Sequence, residues 1–279
     1  MEHTTTVGNR LLATLPPEDI DLLVPHFRKV ALERDIVLAR TGDPVQRIYF
    51  PLNGLVAFIM DMPSGETVAT AVIGNDGAAG LLSAIGPTRS PVTTVVRIAG
   101  TALQISPAQF QAALRRSNAI RVVVQTLTRS LLAQFQHVAA CNALHRVEAR
   151  LARWLLQVHD RADGDVLPLT QETLSEMLGV RRPTVTHVVR RLRASGAIRS
   201  NRRSFLEIER PRLEAVACEC YQLMRRRLEL INSPEERHPS DDARPADDRR
   251  PQSPVFAKPD DVHPRTRTHG GMVHRPRSH

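Results

Sequence analysis

Two short amphipathic segments joined by a glycine constrain this chain more than any other feature, and they lie within residues 170–200. Thr170 is a favourable N-cap, and Leu174 and Leu178 follow at helical spacing. Gly179 can end this first helix in a left-handed conformation at little steric cost. The pattern therefore predicts a helix, a tight turn and a second helix.

The second segment is predicted to be a helix that starts near Arg181, with Pro183 in its first turn, where the missing N–H costs nothing. Its apolar positions recur at i, i+3, i+4 and i+7, and they are Val185, Val188, Val189 and Leu192. Arginine, threonine and histidine occupy the other side. A helix with these two sides is suited to the major groove of DNA.

Individual roles follow from position along this helix. The first turns of such a helix meet base edges, so we expect base contacts from Arg182 and His187. Thr184 and Thr186 are expected to contact bases or phosphates, and Arg190 a phosphate. The alternative is a solvated amphipathic helix, but the coincidence of a capped first helix, a glycine turn and a second helix favours DNA binding.

A strand–turn–strand pattern follows at residues 197–208, with the turn at 201–204. Arg202 and Arg203 at its tip are predicted to lie along the phosphate backbone of DNA. An ordinary basic hairpin is the alternative.

These motifs resemble the winged helix of the Crp/Fnr family of bacterial transcription regulators. The similarity is carried by residues 169–172, 178–179, 182, 184–185, 192 and 196–198. Arg182 matches the first arginine of the family's base-reading run, whereas Pro183 replaces a glutamate and His187 a later arginine. The resemblance therefore implies DNA binding without implying the operator sequence of other members.

Charge supports this interpretation. Of a net charge of +9, residues 170–232 contribute +6, from 13 arginines against 7 acidic residues. Such a basic module attracts polyanions through counterion release. We find no phosphate-binding glycine loop and no nucleophile motif, so the chain is not expected to be an enzyme.

The N-terminus lacks a basic and then apolar run, and no apolar stretch approaches the roughly 18 residues of a membrane span. A cytoplasmic protein with no membrane partner is therefore expected.

Short extended runs separated by glycine turns between residues 30 and 105 predict a barrel or sandwich. This half resembles the cyclic-nucleotide-binding β-roll of the same family at residues 41–43, 49–50, 53–54 and 77–81.

In nucleotide-binding members of that family, a glutamate takes the ribose hydroxyl and an arginine pairs with the cyclic phosphate. Here Ala78 stands at the acidic position, and Arg89 and Ser90 stand near the arginine position, with a one-residue shift. Arg89 and Ser90 are thus the candidate effector-binding residues. No cofactor is predicted: a cyclic nucleotide is one candidate ligand, and another small effector, or none, is favoured over it.

From about Ser117 to Cys141 the chain has neither glycine nor proline. A 3–4 spacing links Val124, Leu127, Leu131, Gln134, Val138 and Cys141. This heptad seam predicts a two-helix coiled coil and hence a homodimer. A single helix packed on its own barrel is the alternative.

The three cysteines, Cys141, Cys218 and Cys220, are too unevenly spaced for a disulfide framework. Cys218 and Cys220 could bind a metal or sense redox state, but the favoured interpretation is that they are small residues on a C-terminal helix. His137, His145 and His159 are likewise taken as ordinary helix residues, so no metal site is predicted. Iron–sulfur members of the family carry cysteines near the N-terminus, and this chain has none before Cys141.

The predicted fold class is α+β. A β-roll or jelly-roll sensor domain spans residues 11–116, a dimerisation helix 117–141, a winged helix-turn-helix 142–221 and a disordered tail 232–279. We expect a homodimeric transcription regulator that binds double-stranded DNA at an inverted repeat, with RNA polymerase as a partner. A ligand-binding signalling module with degenerate DNA recognition is the competing hypothesis.

Overall fold

Seven short strands build the N-terminal part of the computed structural model, which describes residues 8–86, 88–162, 164–202 and 205–232, without the side chains of 200–202 and 232. The tail predicted from residue 233 onward lies outside the described residues. The strands are β1 (Arg28–Leu32), β2 (Val37–Ala39), β3 (Ile48–Pro51), β4 (Leu55–Asp61), β5 (Thr67–Ile73), β6 (Thr93–Ile98) and β7 (Gly100–Ile105).

These strands form two antiparallel sheets, in the orders β1-β7-β3 and β2-β6-β4-β5. Phe50 and Leu103 from the first sheet and Val56 and Val96 from the second share one buried apolar cluster, so the two sheets enclose a common core. Gly54, with φ +78°, makes the turn before β4, where a Cβ atom would lie 2.7 Å from the carbonyl oxygen of Ile98. Only glycine fits that turn.

Helices make up most of the remaining described residues. They are α1 (Pro17–Ile20), α2 (Pro107–Arg116), α3 (Asn118–Leu144), α4 (Val147–His159), α5 (Gln171–Leu178), α6 (Arg182–Ala194), α7 (Arg210–Val216) and α8 (Cys220–Asn232). A third, small sheet in the order β8-β10-β9 is formed by β8 (Val166–Leu167), β9 (Ile198–Arg202) and β10 (Phe205–Ile208). The predicted α+β class, with a β-sheet domain before a helix-turn-helix, is confirmed. Within the described part of the chain, no helix is both long and apolar enough to cross a membrane.

The long helix α3 lies along the β-roll of its own chain. Ser117 caps it by accepting a hydrogen bond from the Ile120 N–H at 3.0 Å. Val124 and Leu131 belong to the apolar core of the roll, and Gln134 accepts a hydrogen bond from the Val72 N–H at 3.4 Å. The helix is therefore anchored to both the core and the backbone of the roll.

The interpretation of this heptad as a coiled-coil seam is consequently wrong. Val124, Leu127, Leu131, Gln134, Val138 and Cys141 are all buried within a single chain. A helix that packs on a sheet needs an apolar stripe at spacings of three and four, and so does a helix that packs on another helix. The pattern alone does not identify the surface that covers the stripe.

The helix-turn-helix packs against the same roll. Leu55 and Val72 of the roll share a buried cluster with Leu174 and Met177 of α5. At the edges of this contact, Arg97 of β6 pairs with Glu176 of α5.

A second ion pair joins Arg161, just after α4, to Asp76, with Arg161 Nη2 2.6 Å from Asp76 Oδ2. Asp76 also accepts hydrogen bonds from Arg161 Nε and from the Gly74 N–H, both at 3.1 Å. Burial raises the pKa of Asp76, but the Arg161 charge and these hydrogen bonds outweigh it and leave the pKa below its usual value.

We expect Asp76→Asn to lower the stability of the fold at neutral pH by about 3 kcal/mol, because Arg161 would keep a charge that is buried and unpaired. Because the pKa of Asp76 is lowered by folding, its contribution is complete well above the ordinary carboxyl pKa of about 3.9 and is lost as the pH falls through the lower folded-state value. Urea unfolding between neutral and acid pH measures both effects. Glu66→Gln, at an exposed turn, is the matched control. Equal acid sensitivity of wild type and Asp76→Asn would contradict the assignment.

Candidate DNA interface, sensor cavity and thiol cluster

The helix-turn-helix is built as its sequence predicts. Thr170 Oγ1 accepts a hydrogen bond from the Thr173 N–H at 3.1 Å and so caps α5. Gly179, with φ +61°, ends that helix in the left-handed region. Pro183 lies in the first turn of α6. The apolar stripe of α6 is buried, at Val185, Val188, Val189 and Leu192.

Locking that stripe into the core turns the polar side of α6 outward. The exposed side chains include those predicted to contact DNA, namely Arg182, Thr184, Thr186, His187 and Arg190. Since all five are exposed and lie on one side of one helix, they form a polar surface, which we call the reading face.

Local contacts orient the reading face. Arg182 Nη1 lies 3.1 Å from Glu172 Oε2, and these side chains are 64% and 62% exposed. Thr186 Oγ1 donates to Gln171 Oε1 at 2.9 Å. Arg182 and Thr186 are thus held by residues of α5 through weak surface interactions, which water or DNA can replace.

His187 and Arg190 form a second unit, in which Arg190 Nη2 donates to His187 Nδ1 at 3.1 Å. An imidazole that accepts at Nδ1 is neutral and carries its proton on Nε2. His187 therefore presents an N–H donor to a base edge or phosphate, although it lacks the charge of an arginine.

The wing follows the reading face. Arg199 in β9 is exposed. Its Nη1 lies 4.0 Å from Glu207 Oε1, and its Nη2 lies 3.9 Å from Glu209 Oε2. The backbone of Arg202 in β9 pairs with that of Phe205 in β10. The side chain of Arg202 and the whole of Arg203 lie outside the described residues, so their phosphate contacts stay predictions.

A cavity of about 230 Å³ lies between the roll and α3. Phe58, Leu81 and Leu131 contribute apolar walls, and Arg89 and Ser90 line it as well. The structure therefore brings both candidate effector residues to one cavity that touches the long helix. Its volume is below the roughly 300–1,000 Å³ of most ligand pockets.

The polar groups of this cavity are largely engaged. Arg89 Nη1 donates to the Gly42 carbonyl at 2.8 Å, and Ser90 Oγ donates to the Val92 carbonyl at 2.6 Å. Ala78 stands in the wall, and none of the described residues that line the cavity is acidic. An arginine is thus present for an anionic group, and a carboxylate acceptor for ribose hydroxyls is missing from the described lining.

A third cluster was not foreseen from the sequence. Cys141 and His145 at the end of α3 meet Cys218 and Cys220 at the start of α8, and one ligand atom from each lies within 4.8 Å of the others. The hydrogen bond with Cys218 lowers the pKa of Cys141 to about 4, against burial and with help from Arg153. The same hydrogen bond and burial raise the pKa of Cys218.

The available signals were a cysteine and a histidine four residues apart and a Cys-x-Cys pair, but nothing linked these pairs across more than 70 intervening residues. By contrast, His137 and His159 make ordinary contacts, with the Ala133 carbonyl and with Asp165, both at 2.8 Å.

Comparison with known families matches both halves of the chain. Residues 29–117 match the cyclic nucleotide-binding domain, and residues 149–216 match the Crp-like helix-turn-helix domain. The chain belongs to the Crp/Fnr family. It is accordingly a DNA-binding transcription regulator of the Crp type.

Relatives of this Crp/Fnr protein span most of its described length. The CRP-like cAMP-activated global transcriptional regulator of Mycobacterium tuberculosis is 25% identical over 209 residues, which cover 71% of this chain and 91% of the relative.

Solved structures agree in fold. FixK2 from Bradyrhizobium japonicum superimposes with a TM-score of 0.60 at 16% identity, over 69% of this chain and 98% of that one. The c-di-GMP responsive global regulator CLP from Xanthomonas campestris gives 0.57 at 18% identity, over 69% and 99%. At these identities the likeness shows the fold alone.

Titration with cAMP is expected to show no saturable binding in the micromolar range. With Ala78 at the acidic position, a ribose hydroxyl would lack its hydrogen bond to a carboxylate. A missing hydrogen bond to a charged group costs about 1.5–3 kcal/mol, roughly a 10- to 100-fold loss of affinity. Arg89 must also give up its hydrogen bond to the Gly42 carbonyl before it can bind a phosphate. Isothermal titration calorimetry measures this directly, with Arg89→Gln as the control variant. Micromolar affinity that disappears in Arg89→Gln would show that the arginine suffices without the carboxylate.

Proposed function

We propose that this Crp/Fnr protein is a homodimer that binds an inverted-repeat operator and that its DNA specificity resides in the reading face of α6. The observation that carries the proposal is the exposure of five hydrogen-bonding side chains on a helix whose opposite side is fixed in the core. A rigid helix with one free polar side is the geometry that major-groove recognition requires.

Energetics favour Arg182 as a base-reading residue. Its pairing with Glu172 joins two largely exposed side chains, and such pairs contribute about 0.2–1 kcal/mol. A bidentate contact with guanine contributes about 1–3 kcal/mol of discrimination. Exchange of Glu172 for a guanine is therefore favourable.

His187 and Arg190 are suited to different contacts, His187 to a base and Arg190 to a phosphate. His187 is nearer the start of α6, where base edges are met, and its Nε2–H is a donor. Arg190 lies one turn later, in the region that meets phosphates. Thr184 and Thr186 add short hydroxyl groups that fit either partner.

A second copy of this chain is the proposed partner at α3. On the side of α3 that the roll leaves uncovered, exposed residues recur at Gln125, Thr128, Leu132, Ala139 and Ala143. Leu132, near the middle, is 55% exposed. Spacings of three, four and seven residues fit a helix–helix seam, and an exposed leucine at its centre would be buried by a partner helix.

A dimer also suits the target. Two reading faces about 34–36 Å apart would meet successive major grooves on one side of the duplex. A regulator bound there acts by contacting RNA polymerase or by excluding it, so the polymerase is the expected protein partner. A small effector in the cavity beside Leu131 would act through α3, provided that it binds one dimer geometry better than another.

The competing hypothesis is a signalling module with degenerate DNA recognition, suggested by Pro183 and His187. The intact helix around Pro183 favours specific binding. Selection of sequences from random duplex DNA by the purified protein decides between them. An enriched inverted repeat supports a specific regulator, and the same affinity for selected and random duplexes supports the degenerate module.

Arg182→Ala is expected to weaken binding to the selected operator by about 1–3 kcal/mol and to relax the preference at one base pair. Arg190→Ala is expected to weaken binding to all sequences alike and to reduce the slope of log affinity against log salt concentration by about one. Arg202→Ala, at the wing, is expected to have the same two effects. Fluorescence anisotropy with operator and scrambled duplexes, at several salt concentrations, measures both. Identical behaviour of Arg182→Ala and Arg190→Ala would contradict the division between base and phosphate contacts.

Leu132→Asp is expected to convert the dimer to a monomer, because the partner helix would bury an unpaired carboxylate. Size-exclusion chromatography with light scattering reports the mass. Val166→Asp in β8 is the matched control, since Val166 is 53% exposed and lies away from α3. A dimer that survives Leu132→Asp would place the interface elsewhere.

A further inference from the structure

The thiol cluster lies where the long helix gives way to the DNA-binding domain. α3 ends at Leu144, and His145 takes an extended conformation, with φ −113° and ψ 147°, before α4 begins. Cys141 belongs to the last turn of α3. Cys218 lies between α7 and α8, 77 residues after Cys141, and Cys220 is the first residue of α8. The four side chains therefore connect the hinge to the chain that leaves the winged helix.

Two distances within the cluster are close to those around a single tetrahedral ion, and all four ligand atoms lie within 4.8 Å of one another. Zn–S bonds of about 2.3 Å and Zn–N bonds of about 2.0–2.1 Å give tetrahedral edges of about 3.8 Å between two sulfurs and about 3.5 Å between sulfur and nitrogen. The Sγ atoms of Cys141 and Cys218 are 3.5 Å apart, and Cys220 Sγ lies 3.6 Å from His145 Nδ1. An ion could enter with shifts of only a few tenths of an ångström in these two contacts.

Neighbouring groups also suit a metal site. His145 Nε2 bonds to Glu219 Oε1 at 3.1 Å, which orients the ring and directs Nδ1 to the thiols. A carboxylate behind a coordinating histidine is the usual companion of zinc. Arg153 Nε donates to Cys141 Sγ at 3.2 Å and would stabilise a thiolate there.

Other uses of the cluster account for fewer of these observations. A disulfide between Cys141 and Cys218 would leave Cys220, His145 and Glu219 without a role. An iron–sulfur cluster places several iron and sulfide atoms between its ligands, whereas the four ligand atoms here lie within 4.8 Å of one another. Calcium and magnesium prefer oxygen ligands. Three sulfurs and one imidazole nitrogen form a set that favours zinc.

We propose that Cys141, His145, Cys218 and Cys220 bind one zinc ion, which clamps the hinge between α3 and the DNA-binding domain. The ion would link the end of α3 to the start of α8, which packs along α3. It would thereby restrict the angle between the helix that forms the dimer and the domain that carries the reading face. This effect on DNA binding rests on the proposed function, whereas the binding of zinc does not.

Metal content of the full-length protein, purified under reducing conditions, is the first test. Mass spectrometry of the metal is expected to find one zinc ion per chain in the wild type and a loss of nearly all of it in Cys218→Ser and Cys220→Ser. His137→Gln, one helical turn before Cys141 but not part of the cluster, is the matched control and should keep the ion. Glu219→Gln should weaken zinc binding by roughly 10- to 100-fold, as expected for a positioning residue. Substitution with cobalt should give the absorption bands of a tetrahedral thiolate site.

DNA binding is the second test, and chelation of the wild type avoids dependence on how a variant folds. Removal of zinc is expected to reduce affinity for the selected operator at least tenfold, and added zinc is expected to restore that affinity. The helix content, measured by circular dichroism, should be largely unchanged by the removal. If the protein binds no DNA either with or without zinc, the proposed function is contradicted, whereas the conclusion that the cluster binds zinc is unaffected.

Three results would overturn the zinc site: a wild-type chain without zinc, iron with sulfide in its place, or zinc retained by both serine variants. Bound zinc whose removal leaves operator affinity unchanged would overturn the clamp.

Discussion

The packing of α3 against the β-roll is the interaction on which the rest of the molecule depends. Val124 and Leu131 insert into the core of the roll, and Gln134 bonds to the backbone of β5. Because α3 is 27 residues long, its anchored part sets the position of its far end, where the hinge and the DNA-binding domain begin. The cavity, the surface proposed for the partner and the hinge are thus arranged along one helix.

Neighbouring positions on α3 face different surroundings. Leu131 lines the cavity next to Arg89, whereas Leu132 is exposed on the surface proposed for the partner. In the proposed dimer, a ligand that displaces Leu131 would therefore act directly on the helix that carries Leu132. The ion pairs of Arg97 with Glu176 and of Asp76 with Arg161 hold the DNA-binding domain against the roll, and any reorientation of that domain must break or replace them.

The helix-turn-helix was predictable because its information is local. Thr170, Gly179 and Pro183 act within a few residues of their own position, through a cap, a left-handed turn and a first-turn proline. The apolar stripe of α6 dictates which side turns inward, and the reading face follows from it. The β-roll was predictable in kind from its glycine turns and its resemblance to the family, whereas strand pairing depends on contacts between distant residues.

By itself, then, the sequence determined the two domain types, the α+β class, the membership of the family and the side of α6 that is exposed. Only the tertiary structure decided what covers α3, because an apolar stripe has the same period whether a sheet or a second helix buries it. The meeting of Cys141 and His145 with Cys218 and Cys220 likewise came from the fold. Side chains more than 70 residues apart become neighbours only when the packing of α8 along α3 brings their helix ends together.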